Sequence, residues 1–298
     1  MPPPPPAAPR WLRWIAGHPV AALLLWFFTV GQAIAFIPTV ASACGARLPE
    51  QPFTTASTWV GLVLPALAIT WLLHGRPATR ALLRLAAVPA TVRWNVLCLI
   101  GIPLTSLAIV LATNGVPGGS SASDVARAYV VSFVAQALLH LVTNNLWEEL
   151  AWTGFVAARL QARHSPMRVA LLTAPLFALQ HSPLVLDAGA GGPVVLLALV
   201  VLAVPFRVVM SWVFNSTGSL LLVGLAHACG NAVVTGTVLG DALVPALYGR
   251  GLGPVHLFAF AVIGLLVGVA TRGRLGLDDS VRTAPTVIGS SEGAGHGT

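Results

Sequence analysis

Three small groups of ionisable and amide side chains interrupt otherwise apolar stretches of this sequence. The first is the adjacent pair Glu148 and Glu149, the second is His181, and the third is His227 with Asn231 four residues later. A carboxylate in hydrocarbon is strongly destabilised unless it is paired or protonated, so an adjacent pair requires polar partners. A spacing of four places His227 and Asn231 on one helix face. We therefore predict that these five residues form one polar site inside an apolar protein.

This set of residues could hydrolyse a peptide bond in either of two ways. In the first, Glu148 takes a proton from a water molecule that His181 helps to orient, while His227 and Asn231 donate hydrogen bonds to the oxyanion that forms on the scissile carbonyl. In the second, the three side chains of Glu148, His181 and His227 bind a divalent metal such as Zn²⁺, which activates the water instead. The residues alone do not separate a metal site from a site without a cofactor.

The composition indicates that the surrounding elements are membrane helices. Only 8% of the 298 residues are charged, whereas 56% are hydrophobic. Because a bilayer core requires about 20 apolar residues per helix, we predict an all-α polytopic bundle of eight transmembrane helices. The ranges are 19–41, 57–73, 94–113, 128–162, 168–184, 193–213, 217–238 and 254–271. The fourth could also break into two helices near residues 143–145, and the glutamates, flanked by Trp147 and Trp152, could instead be solvated at an interface.

The charge distribution predicts the orientation of this bundle. All sixteen basic residues are arginine, and they exceed the nine acidic residues by seven charges. With eight spans, the arginine clusters fall mostly on one side, and the positive-inside rule then places both termini in the cytoplasm. The positive charge is explained by topology, so we expect no nucleic-acid partner. We expect a multi-pass protein of the cell membrane, in a bacterium with GC-rich coding, with the lipid bilayer as one partner.

The sequence divides into one membrane domain and two tails. Residues 19–275 form the single integral-membrane domain. Residues 1–18 are Pro-rich and residues 276–298 are rich in Ser, Gly and Thr, so both are expected to be disordered cytoplasmic tails. Among the remaining polar residues of the domain, His140 and His256 are expected to be structural groups with satisfied hydrogen bonds. Gly218, Gly224 and Gly230 are expected to permit close helix packing.

The three polar groups resemble the motifs of a known family, the CPBP intramembrane proteases. That family includes the type II CAAX prenyl endopeptidases and bacteriocin-processing or self-immunity proteins. It carries Glu-Glu-x-x-x-Arg, Phe-x-x-x-His and His-x-x-x-Asn or Asp on separate transmembrane helices. Here the corresponding segments are 148–153, 177–181 and 227–231. The resemblance covers a protease-like core of about residues 125–240.

The resemblance implies an endopeptidase that cuts a hydrophobic or membrane-associated peptide. It implies that Glu148 is the catalytic base or a metal ligand and that Glu149 is a supporting carboxylate. It further implies that His181 contacts the water or metal, and that His227 and Asn231 stabilise the oxyanion.

The sequence departs from the family pattern at Thr153, which stands where the family has Arg. The missing guanidinium could pair with a buried carboxylate, whereas Thr offers only one hydroxyl. Two alternatives to an active protease therefore stay open. One is a catalytically impaired relative that binds peptide, confers immunity or acts as a membrane scaffold, and the other, with less support, is a proton-coupled carrier. We hypothesise that Arg207, in the sixth predicted span, substitutes electrostatically for the missing Arg.

Overall fold

The computed structural model describes residues 9–89, 91–118 and 121–277. Its regular structure in these ranges is helical, apart from one isolated β-bridge between Thr237 and Gly240. The all-α expectation is therefore confirmed. Of the two expected tails, residues 1–8 and 278–298 lie outside the described residues, while residues 10–17 form a helix within the segment that we expected to be disordered.

Twelve helical segments follow one another along the described residues, and the fourth is kinked at Gly75, whose backbone is not helical. Their bounds are α1 Arg10–Gly17, α2 Pro19–Ala35, α3 Ile37–Ala43, α4 Glu50–Leu85, α5 Val92–Asn114, α6 Ala122–Gln161, α7 Pro166–Gln180, α8 Ser182–Asp187, α9 Gly189–Thr217, α10 Leu220–Val234, α11 Leu243–Tyr248 and α12 Val255–Ala270.

Four of the described helices, α4, α5, α6 and α9, are long and apolar enough to cross a membrane. A fifth span results if α1 and α2, which meet at a bend of 104°, are counted together. The apolar helices α10 and α12 are shorter, at 15 and 16 residues. Each predicted span overlaps a helix, but the eight crossings and the cytoplasmic termini stay predictions. Helix α6 runs unbroken for 40 residues, so the fourth predicted span is one helix.

The ends of two helices place parts of the site. Helix α7 begins behind Ser165, whose hydroxyl caps the backbone N–H of Arg168, and it ends at Gln180, so His181 lies at its C-terminal boundary. Helix α9 ends at Thr217 and is capped by Gly218, which adopts a left-handed φ of +65° that costs glycine little. A side-chain carbon at Gly218 would have no neighbour within 4 Å among the described residues, so the packing role expected for Gly218 is wrong and the residue serves the turn. This turn reverses the chain into α10, which carries His227.

Close packing of α10 against α6 sets the distance between the glutamates and the third motif. A side-chain carbon at Gly224 would lie 2.7 Å from the Cα of Leu146, two residues before Glu148. At Gly230 it would lie 2.5 Å from the ring of Phe260. Only glycine permits either approach, which confirms the packing role expected for both residues. On the other side of the site, α7 and α12 both pack along α9.

Candidate active site

The structure brings four of the five predicted site residues to the wall of one cavity. Glu148 of α6, His181 at the end of α7, and His227 and Asn231 of α10 line a cavity of about 400 Å³. Glu149 is fully buried and does not line the cavity. The three motifs therefore converge on one space, with the second glutamate held in the protein interior.

The carboxylate of Glu148 is held by three donors on one oxygen. Its Oε1 accepts hydrogen bonds from Gln180 Nε2 at 2.9 Å, Asn144 Nδ2 at 3.0 Å and Thr58 Oγ1 at 3.4 Å. The amide of Gln180 is oriented in turn, because its Oε1 accepts a hydrogen bond from Trp152 Nε1 at 2.6 Å. An ionised carboxylate only accepts hydrogen bonds, so these donors suit the ionised form. They also leave Oε2 free for other contacts.

Glu149 lies in a buried ionic network with Arg207 of α9. Arg207 Nη1 donates to Oε2 at 3.0 Å and to Oε1 at 3.3 Å, and both side chains are fully buried. The hydroxyl of Thr153 donates to Glu149 Oε2 at 2.5 Å and accepts from Arg207 Nη2 at 3.1 Å. The contact that our hypothesis for Arg207 requires is therefore present. Arg159 points elsewhere, since its Nη1 donates to the carbonyl of Phe155 at 3.2 Å.

His227 connects the two glutamates. Its Nδ1 lies 3.1 Å from Glu149 Oε1 and 3.8 Å from Glu148 Oε2. Because the carboxylate can only accept, Nδ1 carries a proton in the bond to Glu149. The ring also packs edge-on against Phe206, with the ring centroids 4.8 Å apart. Together these contacts fix the orientation of the imidazole and require a proton on Nδ1.

Three further residues of the cavity wall each contact a hydrogen-bonding group of the protein. His181 Nδ1 is 3.1 Å from the carbonyl oxygen of Phe177, and Asn231 Nδ2 donates to Asn145 Oδ1 at 3.3 Å. His140 Nε2 lies 3.1 Å from the carbonyl oxygen of Thr235, so His140 is satisfied as expected.

His256 differs from the expectation. It lines the same cavity, and its buried Nδ1 has no hydrogen-bond partner in the ranges that the structure describes. The expectation of a satisfied structural histidine is therefore wrong for this residue.

The side chains proposed as alternative metal ligands share the cavity without forming a ligand cluster. Among the described residues, no three His, Cys, Asp or Glu side chains group closely enough to hold a metal ion. In this structure the side chains of Glu148, His181 and His227 are therefore not grouped as the ligands of one metal ion.

Of the three donors that hold Glu148, only Asn144 was considered from the sequence, where a hydrogen bond within the pocket and a capping or kink role were equally open. The structure shows the hydrogen bond, in agreement with a position four residues before Glu148 on the same helix face. Gln180 directly precedes the motif histidine His181, which is a weaker indication that Gln180 lies at the site. Nothing in the sequence singled out Thr58, which comes from a helix outside the three motifs.

A family comparison covers the segment that carries this geometry. Residues 130–233 match the family described as Type II CAAX prenyl endopeptidase Rce1-like. This segment is Rce1-like. It contains all three motifs together with Thr153 and Arg207, and it falls within the core of residues 125–240 expected from the motifs. The resemblance to the CPBP family is thereby confirmed for this segment, and the long apolar helices indicate a membrane protein. No curated protein matches the chain.

Proposed function

We propose that this chain is an intramembrane endopeptidase that hydrolyses a peptide bond in a hydrophobic or membrane-associated peptide. One observation carries the proposal: Glu148, His181, His227 and Asn231, which come from three separate helices, line the same cavity. A volume of about 400 Å³ is within the range of pockets that bind small ligands. The Rce1-like segment supports the same reaction class.

In this proposal Glu148 is the general base. Its Oε1 is held by three donors, and its Oε2 accepts a proton from a water molecule oriented by His181. The water oxygen bonds to the carbonyl carbon of the scissile peptide, and the carbonyl electron pair moves to the oxygen. Glu148 then returns the proton to the leaving nitrogen as the C–N bond breaks, so that one group serves both half-reactions.

His227 and Asn231 stabilise the oxyanion in this proposal. A doubly protonated imidazole donates from both nitrogens, so His227 can bond Glu149 through Nδ1 and the oxyanion through Nε2. Asn231 uses one amide N–H towards Asn145 and retains a second donor for the substrate. Donors that are fixed before the reaction stabilise developing charge most effectively.

Arg207 favours the active protease over the impaired relative. The argument for impairment was that Thr153 leaves a buried carboxylate without a guanidinium. Glu149 nevertheless has a guanidinium partner at 3.0 Å, supplied from α9, and Thr153 contributes a hydroxyl to the same pair. In the family motif the carboxylate and the guanidinium lie on one helix. Here Arg207 of α9 neutralises the carboxylate of Glu149 on α6.

The test of this proposal is peptide cleavage by the full chain in liposomes. The probe is a library of hydrophobic peptides that includes prenylated CAAX peptides, the class suggested by the family description, and products are identified by mass spectrometry. We expect cleavage by the unaltered chain and none by Glu148→Gln. Asp241→Asn is the matched control, because Asp241 is an exposed carboxylate that does not line the cavity.

The two alternative functions give different results in the same preparation. An impaired relative would bind a library peptide without cutting it, and Glu148→Gln would leave that binding unchanged. A carrier would show uptake into liposomes that depends on a pH gradient and is lost in Glu148→Gln. Either outcome without product formation would contradict the endopeptidase proposal.

A further inference from the structure

His256 of α12 is a histidine of the cavity wall with an unsatisfied nitrogen. It lines the cavity together with Glu148 and His227, and its Nδ1 is buried without a hydrogen-bond partner among the described residues. A buried atom cannot be reached from the cavity, so Nδ1 is not the nitrogen that meets a ligand there. The other ring nitrogen, Nε2, is neither buried nor hydrogen-bonded within the part of the chain that the structure describes, so a partner that enters the cavity meets this atom.

The ring of His256 lies beside the third motif. A side-chain carbon at Gly230 would be 3.6 Å from His256 Cδ2, and Gly230 directly precedes Asn231 on α10. His227 lies three residues earlier on the same helix, about one turn away. His256 thus belongs to the same part of the cavity as the proposed oxyanion donors, although α12 lies beyond the Rce1-like segment.

The charge of the cavity limits what this partner can be. Its wall carries the carboxylates of Glu148 and Glu50, and no arginine is among the described residues that form it. An anionic ligand would therefore be repelled, whereas a neutral peptide backbone offers both a carbonyl acceptor and an N–H donor. A neutral imidazole has one N–H and one lone pair, so it can hydrogen-bond to either group.

We propose that His256 is a substrate-binding residue whose ring hydrogen-bonds to the backbone of the peptide beside the scissile bond. This inference rests on the proposed endopeptidase function and adds a binding contact from outside the family segment. His256 holds the peptide next to Asn231 and exchanges no proton in the reaction. Its loss therefore affects substrate binding and KM rather than kcat.

The test compares two substitutions that differ in hydrogen-bonding ability. His256→Phe keeps an aromatic ring but removes both nitrogens, while His256→Gln retains a donor and an acceptor. With the library peptide that the unaltered chain cleaves fastest, we expect His256→Phe to raise KM by about 3- to 10-fold, the effect of one hydrogen bond, with kcat nearly unchanged. His256→Gln should recover most of this loss. His164→Phe, outside the cavity lining, is the control.

A binding measurement separates the role of His256 from the proposed function. In the Glu148→Gln background, equilibrium binding of the same peptide should weaken by the same factor when His256→Phe is added. If the unaltered chain cleaves the peptide but His256→Phe leaves KM and binding unchanged, the role of His256 is overturned and the endopeptidase stands. The role is also overturned if His256→Gln is no better than His256→Phe. If the unaltered chain cleaves no library peptide, the endopeptidase proposal fails, and the inference fails with it.

Discussion

Arg207 Nη1 and Glu149 Oε2 lie 3.0 Å apart in a fully buried ion pair that joins α9 to α6. The sequence pattern of the family would place an arginine at position 153, within the same helix as the glutamate. Here Thr153 occupies that position, and its hydroxyl bonds to both members of the pair. The guanidinium thus comes from another helix and still reaches the motif carboxylate.

Removal of Arg207 should destabilise the protein. In Arg207→Met the carboxylate of Glu149 stays buried without its cation, and breaking a buried pair in this way typically costs about 3–5 kcal/mol. We expect a lower thermal unfolding midpoint in detergent. Arg84→Met, which removes an exposed arginine, should leave the midpoint unchanged. Adding Glu149→Gln to Arg207→Met should recover part of the loss, because the buried carboxylate is then removed as well. Equal unfolding midpoints for Arg207→Met and the unaltered protein would contradict a stabilising role for the ion pair.

The position of the guanidinium should be exchangeable between the two helices. Thr153→Arg alone places a second cation beside Arg207 in a fully buried network, so we expect a large loss of folded protein. Thr153→Arg combined with Arg207→Leu leaves one cation and should restore folding and cleavage in part. The measurement is the yield of monodisperse protein together with its cleavage rate. A double variant no better than Thr153→Arg would argue against exchange of the guanidinium.

Gln180 should act as a positioning residue for Glu148. Gln180→Leu removes one of the three donors to Glu148 Oε1 and leaves the indole N–H of Trp152 without its acceptor. Because small displacements of a catalytic group can cost about 100-fold in rate, we expect kcat to fall about 10- to 100-fold with little change in KM.

A partial test of the same idea uses Trp152→Phe, which removes only the donor that orients the Gln180 amide. It should lower kcat as Gln180→Leu does but less strongly, again with little change in KM. If both variants kept the kcat of the unaltered chain, Gln180 would be a packing residue only.

Gly224 should be essential for the close approach of α6 and α10. In Gly224→Ala the new carbon would lie 2.7 Å from the Cα of Leu146, a backbone atom that cannot rotate away. We expect a loss of about 1–3 kcal/mol in unfolding free energy from overpacking, together with lower activity because His227 moves away from the glutamates. Gly101→Ala is the control, since its nearest neighbour is a side-chain atom at 3.4 Å. Equal effects of the two substitutions would show that helix proximity does not set the site.

The motif residues could be predicted because their chemistry conflicts with an apolar setting. Charged and amide groups are rare in this sequence, so Glu148, His181 and Asn231 stand out without a structure, and their convergence follows from the need of buried polar groups for partners. Arg207 was found by the same argument. Thr58 and Gln180 were missed because a hydroxyl or neutral amide in a membrane helix has many ordinary roles, and only the fold selects the one that it adopts.

The span count was harder to predict than the fold class. Hydropathy identifies apolar segments, but α10 at 15 residues and α12 at 16 residues are shorter than the length that crosses a bilayer unaided. The bounds of α10 and α12 depend on packing against α9 and on turn residues such as Gly218. A hydropathy profile takes account of neither.

The unsatisfied nitrogen of His256 could not be predicted from the sequence either, because the hydrogen bonds of a side chain are a property of the packed structure.

The most direct test of the account is the cleavage rate of Glu148→Gln relative to the unaltered chain, normalised to folded protein. Loss of a general base typically lowers the rate by about 10²- to 10⁴-fold. Because the amide of Gln can retain contacts with the neighbouring side chains, we predict such a fall with an unchanged unfolding midpoint. Cleavage by Glu148→Gln at the unaltered rate would contradict the central claim that Glu148 activates the water.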